Sequence, residues 1–139
     1  LYINAATDGA VDGDLSVTAN GGDITQTVAL AVTGTTTLVA GGNDITLDTS
    51  TNNFAAAVVI TSGRNVAITD EDAIDLGAST VSGTYAVTAT TGDITDSGNL
   101  TITGAATFIT GASGSNIILD SSGNAFSNAV TLQADAGNE

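Results

Sequence analysis

The residues best placed for chemistry are four carboxylates in the middle of the chain. Asp70, Glu71 and Asp72 are consecutive, and Asp75 follows closely. Closely spaced carboxylates and turn carbonyls are the hard oxygen ligands that Ca²⁺ prefers. Paired carboxylates also perform the acid and base steps of glycoside hydrolysis. These four residues are therefore the candidate metal ligands, and calcium is the candidate ion.

The rest of the catalytic inventory is small. The sequence contains no His or Cys, and Arg64 is its one basic residue. The usual general bases, thiol nucleophiles and Schiff-base lysines are therefore missing. The basic and aromatic residues with which carbohydrate-active enzymes hold a sugar are also few. We expect no enzymatic activity, and no cofactor apart from the candidate calcium ion.

Further aspartates stand directly before short Ile-Thr pairs, at Asp23, Asp44 and Asp93. If these residues line up along one edge of the molecule, they offer more oxygen ligands for calcium. The chain lacks both the glycine-rich nonapeptide of calcium-loaded β-rolls and the EF-hand loop. An Asp before a strand also caps turns. Calcium binding and turn capping both stay open as interpretations.

The net charge argues against two classes of partner, nucleic acids and anionic membranes. Fifteen acidic residues face one basic residue, which gives a net charge of -14 at pH 7. Nucleic acid phosphates and anionic lipids repel such a chain, and no apolar run is long enough to cross a bilayer. We therefore expect no nucleic acid partner and no membrane insertion.

The sequence repeats itself over a long distance. Residues 13–19, followed by Gly22-Asp23-Ile24-Thr25, return as residues 83–89, followed by Gly92-Asp93-Ile94-Thr95. Such self-similarity is typical of repeat architectures. We interpret residues 1–139 as a single repeat segment with long repeats at 13–82 and 83–139. The chain starts in the middle of this pattern, which suggests a piece of something longer.

A shorter unit of about 22 residues lies inside the long repeat. Its apolar anchors are Val17, Leu38, Ile60, Val87, Ile109 and Leu132. The interval from Ile60 to Val87 is longer than the others, and we expect extra loop residues between Ala73 and Gly83. Loops that interrupt a solenoid often mark its binding face.

Each unit contains three short runs of alternating apolar and polar residues, separated by Gly-, Asn- and Asp-rich corners. Alternation predicts half-buried strands, and Val, Ile and Thr favour them. Three strands per 22 residues predict an all-β parallel β-helix, in which like residues stack in columns. We expect one column of Ile24, Ile45, Val66, Ile94 and Ile117, and another of Val32, Phe54, Ile74, Leu100 and Phe126. An antiparallel sandwich is the weaker alternative.

Threonines suggest a different surface function. Thr25, Thr46, Thr69 and Thr95 are expected at comparable outward positions, where a flat Thr ladder can order water as in ice-binding solenoids. An aspartate column beside the ladder would break that surface, and Thr is common in any exposed strand. Ice binding is therefore a weaker alternative.

The repeats resemble those of large filamentous-haemagglutinin-type surface proteins of Gram-negative bacteria. The resemblance rests on stretches such as Gly22-Asp23-Ile24-Thr25-Gln26 and Gly42-Asn43-Asp44-Ile45-Thr46-Leu47-Asp48, and it covers nearly the whole chain. It implies a right-handed β-helical rod that is secreted or displayed at the cell surface, with a role in adhesion, aggregation or biofilm. The family's secretion domain, with its Asn-Pro motifs, is not present, because the chain has no Pro.

Two functions of different classes follow from these observations. The first is a structural shaft of an extracellular adhesin or filament, which continues or self-associates end to end through open strand edges. The second is a calcium- or carbohydrate-binding β-helical module, for which surface glycans of a host or neighbouring cell are the candidate ligands.

Overall fold

The computed structural model describes the backbone of residues 2–3 and all of residues 10–134, and this part of the chain is all-β without a helix. Its strands are short because corners rich in Gly, Asn and Asp interrupt runs of Val, Ile and Thr. In chain order they are β1 Tyr2–Ile3, β2 Ala10–Val11, β3 Leu15–Thr18, β4 Ile24–Gln26, β5 Ala31–Val32, β6 Thr36–Val39, β7 Ile45–Leu47, β8 Asn53–Phe54, β9 Val58–Gly63, β10 Val66–Asp70, β11 Ile74–Val81, β12 Tyr85–Ala89, β13 Ile94–Asp96, β14 Leu100–Ile102, β15 Ala106–Thr110, β16 Ile117–Ile118, β17 Ala125–Phe126 and β18 Val130–Gln133.

These strands form three parallel sheets, which we call A, B and C. Sheet A is the longest path, in the order β1-β4-β7-β10-β12-β15-β18. Sheet B contains β2, β5 and β8. Sheet C runs from β3 through β6 and β9 to β11, and then divides into β13-β16 and β14-β17. Up to β12, strands that follow one another in sequence lie on different sheets, whereas β13 and β14, like β16 and β17, follow one another on the two branches of sheet C. The chain thus winds around the axis and pairs coil on coil.

The pairing register gives the number of residues in one coil. Ile24 pairs with Ile45, and Ile45 pairs with Val66, so each of these coils takes 21 residues. About six coils of about 21 residues stack in this way, with three strands in most of them. The prediction of a parallel β-helix with three short strands per coil is confirmed.

The core consists of inward columns from all three sheets, and its side chains are almost fully buried. Sheet A gives two examples. Val66 pairs with Tyr85 and Val87 pairs with Phe108. The Tyr85 and Phe108 rings meet edge to face with their centroids 5.8 Å apart. Stacked side chains of similar kind supply the apolar burial that a single coil cannot provide.

One coil departs from the three-strand pattern. Sheet B ends at β8, and after β10 the chain turns directly into β11, an unbroken strand of eight residues. The register from Val66 to Tyr85 shows that this coil takes only 19 residues. In the following coil β11 faces two short strands, because Ile74 pairs with Ile94 and Ser79 pairs with Leu100.

The long coil expected between Ala73 and Gly83 is therefore wrong. Most of that stretch is strand β11, and the coil that contains it is short rather than extended. One long strand replaces two short strands and the corner between them. The coil is shorter because this corner is missing. No protruding loop forms there.

This change of rhythm also corrects the predicted columns. The first three members, Ile24, Ile45 and Val66, do stack on sheet A, but Tyr85 comes next. Ile94 and Ile117 continue from Ile74 on sheet C. The second predicted column divides in the same way. Val32 stacks between Val11 and Phe54 on sheet B, whereas Leu100 stacks on Ser79 and Phe126 on Ile102 in sheet C. The long sequence repeat is thus displaced by one face of the solenoid.

Candidate functional site

Asp70 lies inside the solenoid at the point where sheet B stops. It is the last residue of β10 and is fully buried. Its Oδ2 accepts a hydrogen bond from the Phe54 backbone N–H at 2.7 Å, and its Oδ1 accepts one from the Asp72 N–H at 2.8 Å. Phe54 belongs to the last strand of sheet B, so the Asp70 carboxylate supplies the acceptor that a further strand would have provided.

The ionisation of Asp70 is shifted by this environment. Burial raises the pKa of its carboxyl above the ordinary value, because the charged form loses its hydration. The hydrogen bonds from Phe54 and Asp72 oppose the rise, and the negative charges of Asp72 and Glu71 add to it. Asp70 is therefore a structural carboxylate whose charged form is held by two backbone donors.

The other three predicted ligands lie in different surroundings from Asp70. The exposed Asp72 carboxylate accepts hydrogen bonds from Asn53 Nδ2 at 3.0 Å and Thr91 Oγ1 at 3.2 Å. The Glu71 carbonyl also accepts from Thr91 Oγ1, at 2.6 Å. Asp75 lies on β11, opposite Thr95 of the next coil.

The structure does not bring these four carboxylates together as a metal centre. Within the described residues, no group of three or more acidic, His or Cys side chains is arranged to hold a metal ion. Calcium binding at Asp70, Glu71, Asp72 and Asp75 stays a prediction, and the contacts of Asp70 give it a structural role.

Two of the corner aspartates form a ladder. Asp23 Oδ1 accepts the Asp44 N–H at 2.9 Å, and Asp44 Oδ1 accepts the Asn65 N–H at 3.0 Å. Asp93 lies at a different corner, before β13, and accepts the Asn116 N–H at 2.7 Å. The expected single line of Asp23, Asp44 and Asp93 is wrong for Asp93, because the repeat has moved by one face. These contacts are those of turn capping between coils.

The one basic side chain joins this ladder. Arg64 Nε and Nη2 donate to the two Asp44 carboxylate oxygens at 2.7 and 2.8 Å. The hydrogen bond from Arg64, together with that from the Asn65 N–H, lowers the pKa of Asp44 to about 2. The pair is partly exposed, so water screens the attraction and limits its contribution to stability.

Two asparagines that the sequence interpretation did not single out fill equivalent places. Asn52 is fully buried, and its Oδ1 accepts the Leu30 N–H at 2.9 Å. Asn124 Oδ1 accepts the Leu100 N–H at 2.8 Å. Asn52 and Asn124 are separated by the same number of residues as Phe54 and Phe126. The long repeat therefore aligns the two asparagines, and this alignment could have identified them as equivalent.

The threonines predicted as one ladder lie in three places. Thr25 and Thr46 stack directly, but Thr69 stacks on Thr88 in a neighbouring column and Thr95 lies on sheet C. The column that contains Thr25 and Thr46 continues with Ala67. The single four-membered Thr ladder is therefore wrong, although the outer face of sheet A carries short Thr runs.

A shallow groove of about 120 Å³ runs along this outer face. It forms where alanines replace threonines, and its lining residues are Asp44, Ile45, Thr46, Asn65, Val66, Ala67, Thr84 and Ala86. The lining contains no aromatic side chain on which a sugar ring could stack. The groove provides no specific support for carbohydrate binding.

The most distinctive surface is the edge formed by the last described coil, which we call the open edge (β16, β17 and β18). Leu132 continues the buried column of Phe108, yet it is 57 % exposed. Val130 and Ile118 are also exposed, at 41 % and 45 %. Val130 and Leu132 stack on the core residues Ala106 and Phe108, whereas Ile118 stacks on Thr95 of the outer face. No described strand pairs with the far side of β16, β17 or β18, and such an edge favours pairing with another parallel strand.

The described part of the chain offers no helix with the length and apolar character needed to cross a membrane. Comparison with curated proteins gives no match, and comparison with solved structures gives none. The family described as repeats of unknown function, DUF5649, matches residues 3–61 and 63–133. The two matches meet inside β9, shortly before the coil that changes the rhythm. Because they cover almost the entire sequence, the chain belongs to the family of DUF5649 repeats of unknown function.

Proposed function

We propose that the chain is a segment of the structural shaft of an extracellular bacterial adhesin or filament, with a role in adhesion, aggregation or biofilm. The observation that carries this proposal is the stacking of parallel coils, which at the open edge leaves core columns that no described residue covers. The resemblance of the repeats to filamentous-haemagglutinin-type proteins supports the location and the biological role.

The solenoid is suited to provide length and stiffness. Neighbouring parallel strands lie ~4.8 Å apart, so about six coils span roughly 30 Å along the axis. Each coil is hydrogen-bonded to the next through several faces, and each contacts only its neighbours. Such an array lengthens by adding coils while its cross-section is maintained.

The partner of the open edge is proposed to be a parallel strand of the same repeat type, from a continuing chain or a second copy. Leu132→Lys should weaken end-to-end association of the segment, because a charged side chain on a strand edge opposes pairing. Since the chain is strongly acidic, an added positive charge cannot reduce association through general repulsion. Analytical ultracentrifugation over a range of concentrations measures the effect.

Val28→Lys is the matched control, because Val28 is an exposed apolar residue at a corner, 37 % accessible, outside the open edge. The proposal expects association to fall for Leu132→Lys and to persist for Val28→Lys. Equal association of both variants and the parent chain would argue against the edge as the contact.

Cell-surface display is tested separately on the native protein. Immunogold labelling of intact cells, viewed by electron microscopy, should decorate thin filaments outside the envelope. Labelling confined to the cell interior, or to compact particles, would contradict the adhesin-shaft proposal.

A further inference from the structure

We infer that Asn20 and Gly21 form a site of spontaneous deamidation in the folded protein. The pair lies at the corner between β3 and β4, and both residues are exposed. Asn20 is the one asparagine in the sequence that is followed by glycine. A corner on the surface can change conformation with little disturbance to the stacked strands.

The reaction needs only water as a co-reactant. The backbone nitrogen of Gly21, having lost its proton, attacks the side-chain carbonyl carbon of Asn20, and ammonia leaves as a five-membered succinimide closes. Water then opens the ring at one carbonyl or the other, which gives aspartate or isoaspartate. The balance is one ammonia released and one water consumed, and alkaline pH favours the first step.

The structure leaves the attacking nitrogen accessible. Gly21 has a φ of 108°, a conformation that glycine adopts without strain. No atom lies within 4 Å of the position that a Cβ would occupy there. Neither the Gly21 N–H nor the Asn20 side chain makes a hydrogen bond to a described residue, so no contact to those residues holds the two reacting groups apart.

Asp12 and Gly13 show the opposite arrangement at a comparable corner. Gly13 also has a positive φ, of 117°, but its N–H donates to Thr33 Oγ1 at 2.8 Å. The same hydroxyl donates to Asp12 Oδ1 at 3.4 Å. Because Thr33 holds both the nitrogen and the carboxylate, ring closure at Asp12 and Gly13 requires these contacts to break first.

The products would alter the corner in two ways. Either product adds a negative charge to an already acidic chain. Isoaspartate also adds one carbon to the main chain of the corner between β3 and β4, so the corner itself must change conformation. The site therefore provides a chemical record of age in a chain that has no cysteine.

The test is prolonged incubation of the full chain at mildly alkaline pH, followed by peptide mass mapping and enzymatic methylation of isoaspartate. The amide of Asn20 should be lost before that of any other asparagine, with isoaspartate detected at that position. Asn20→Gln should abolish the change, because glutamine would have to close a larger ring. A parallel incubation in urea compares the unfolded chain. Conversion of Asn20 only in urea, or earlier conversion of another asparagine in the folded protein, would overturn the inference.

Discussion

At the scale of single residues, the solenoid is organised by polar side chains that replace missing strand partners. Asp70 is the clearest case, because its carboxylate accepts the Phe54 and Asp72 N–H groups inside the molecule. A buried backbone donor that loses its acceptor costs about 1–3 kcal/mol. Asp70, a predicted metal ligand, is thus needed as the hydrogen-bond acceptor for the last strand of sheet B.

Asp70→Ala should lower the free energy of unfolding by about 2 kcal/mol, because the buried Phe54 N–H and the partly buried Asp72 N–H lose their acceptor. Urea denaturation measures the change. Asp72→Ala is the matched control: its exposed carboxylate should contribute about 0.5 kcal/mol or less. Equal losses in both variants would show that Asp70 has no special structural role.

The pH dependence of the same variant provides a second reading. The folded-state pKa of Asp70 is raised above the ordinary value of 3.8. The contribution of Asp70 to the free energy of unfolding is therefore most favourable below pH 3.8. That contribution falls as pH rises through the raised value. Asp70→Ala should lack this fall, which unfolding measured across the acid range would reveal.

Arg64→Gln tests the opposite shift. The Arg64 guanidinium and the Asn65 N–H lower the pKa of Asp44 to about 2, so this stabilisation is present above pH 3.8 and is lost as pH falls towards 2. The substitution should raise the Asp44 pKa towards its ordinary value, although the Asn65 bond keeps it somewhat low. Carboxyl NMR titration measures the change, and a pKa still at about 2 would contradict the assigned cause.

At the scale of elements, the corners matter as much as the strands. The Gly104 N–H donates to the Gly83 carbonyl of the preceding coil at 3.0 Å, and a Cβ on Gly104 would collide with that carbonyl. Gly42 also lies at a corner, but open space surrounds its Cβ position. Some glycines are therefore required by close stacking of coils, and others are not.

Gly104→Ala should destabilise the protein by about 1–3 kcal/mol, because the added methyl forces adjacent main chains apart. Gly42→Ala should have little effect or stabilise the fold slightly, since alanine restricts the unfolded chain. Thermal unfolding of the two variants gives the comparison. A tolerated alanine at Gly104 would mean that the coils separate more easily than the close contact indicates.

The sequence supported the repeat, the strand type and the coil length because each depends on local alternation and on Gly-rich corners. Ile24, Ile45 and Val66 were correctly assigned to one column because their spacing is regular. The displacement after Val66 was not predictable in the same way, because it depends on β11 pairing with three other strands. Strand propensity does not specify such partners.

The candidate site was predictable only in part, for a related reason. Acidic side chains are almost never fully buried unless they are paired, so the inward position of Asp70 follows from where sheet B ends. Asn52 and Asn124 were accessible to sequence reasoning through the long repeat. Their shared function, acceptance of a leucine N–H from the preceding coil, required the fold.

At the scale of the whole molecule, the protein is a solenoid whose coils can be multiplied. Residues 24–65 comprise two coils in which sheets A and B keep their register and sheet C has one register shift, between Leu38 and Val39. In a linear array each added coil contributes its own interface, so stability should rise with length. The open edge is then the place at which a further coil of the same type can stack.

Duplication of residues 24–65, inserted after Asn65, tests this description most directly. The copy ends at the same point of the coil at which it begins, so every later strand keeps its face. A duplicate of residues 24–54 is the control, because it ends within a coil and moves the following strands to the wrong faces.

Small-angle X-ray scattering of the variants is the decisive measurement. The 24–65 duplication should lengthen the particle by about 10 Å, two coils at ~4.8 Å each, with an unchanged cross-section. The 24–54 duplication should instead lose compactness or stability. A 24–65 variant that widens, or that keeps its original length, would contradict the stacked-coil shaft.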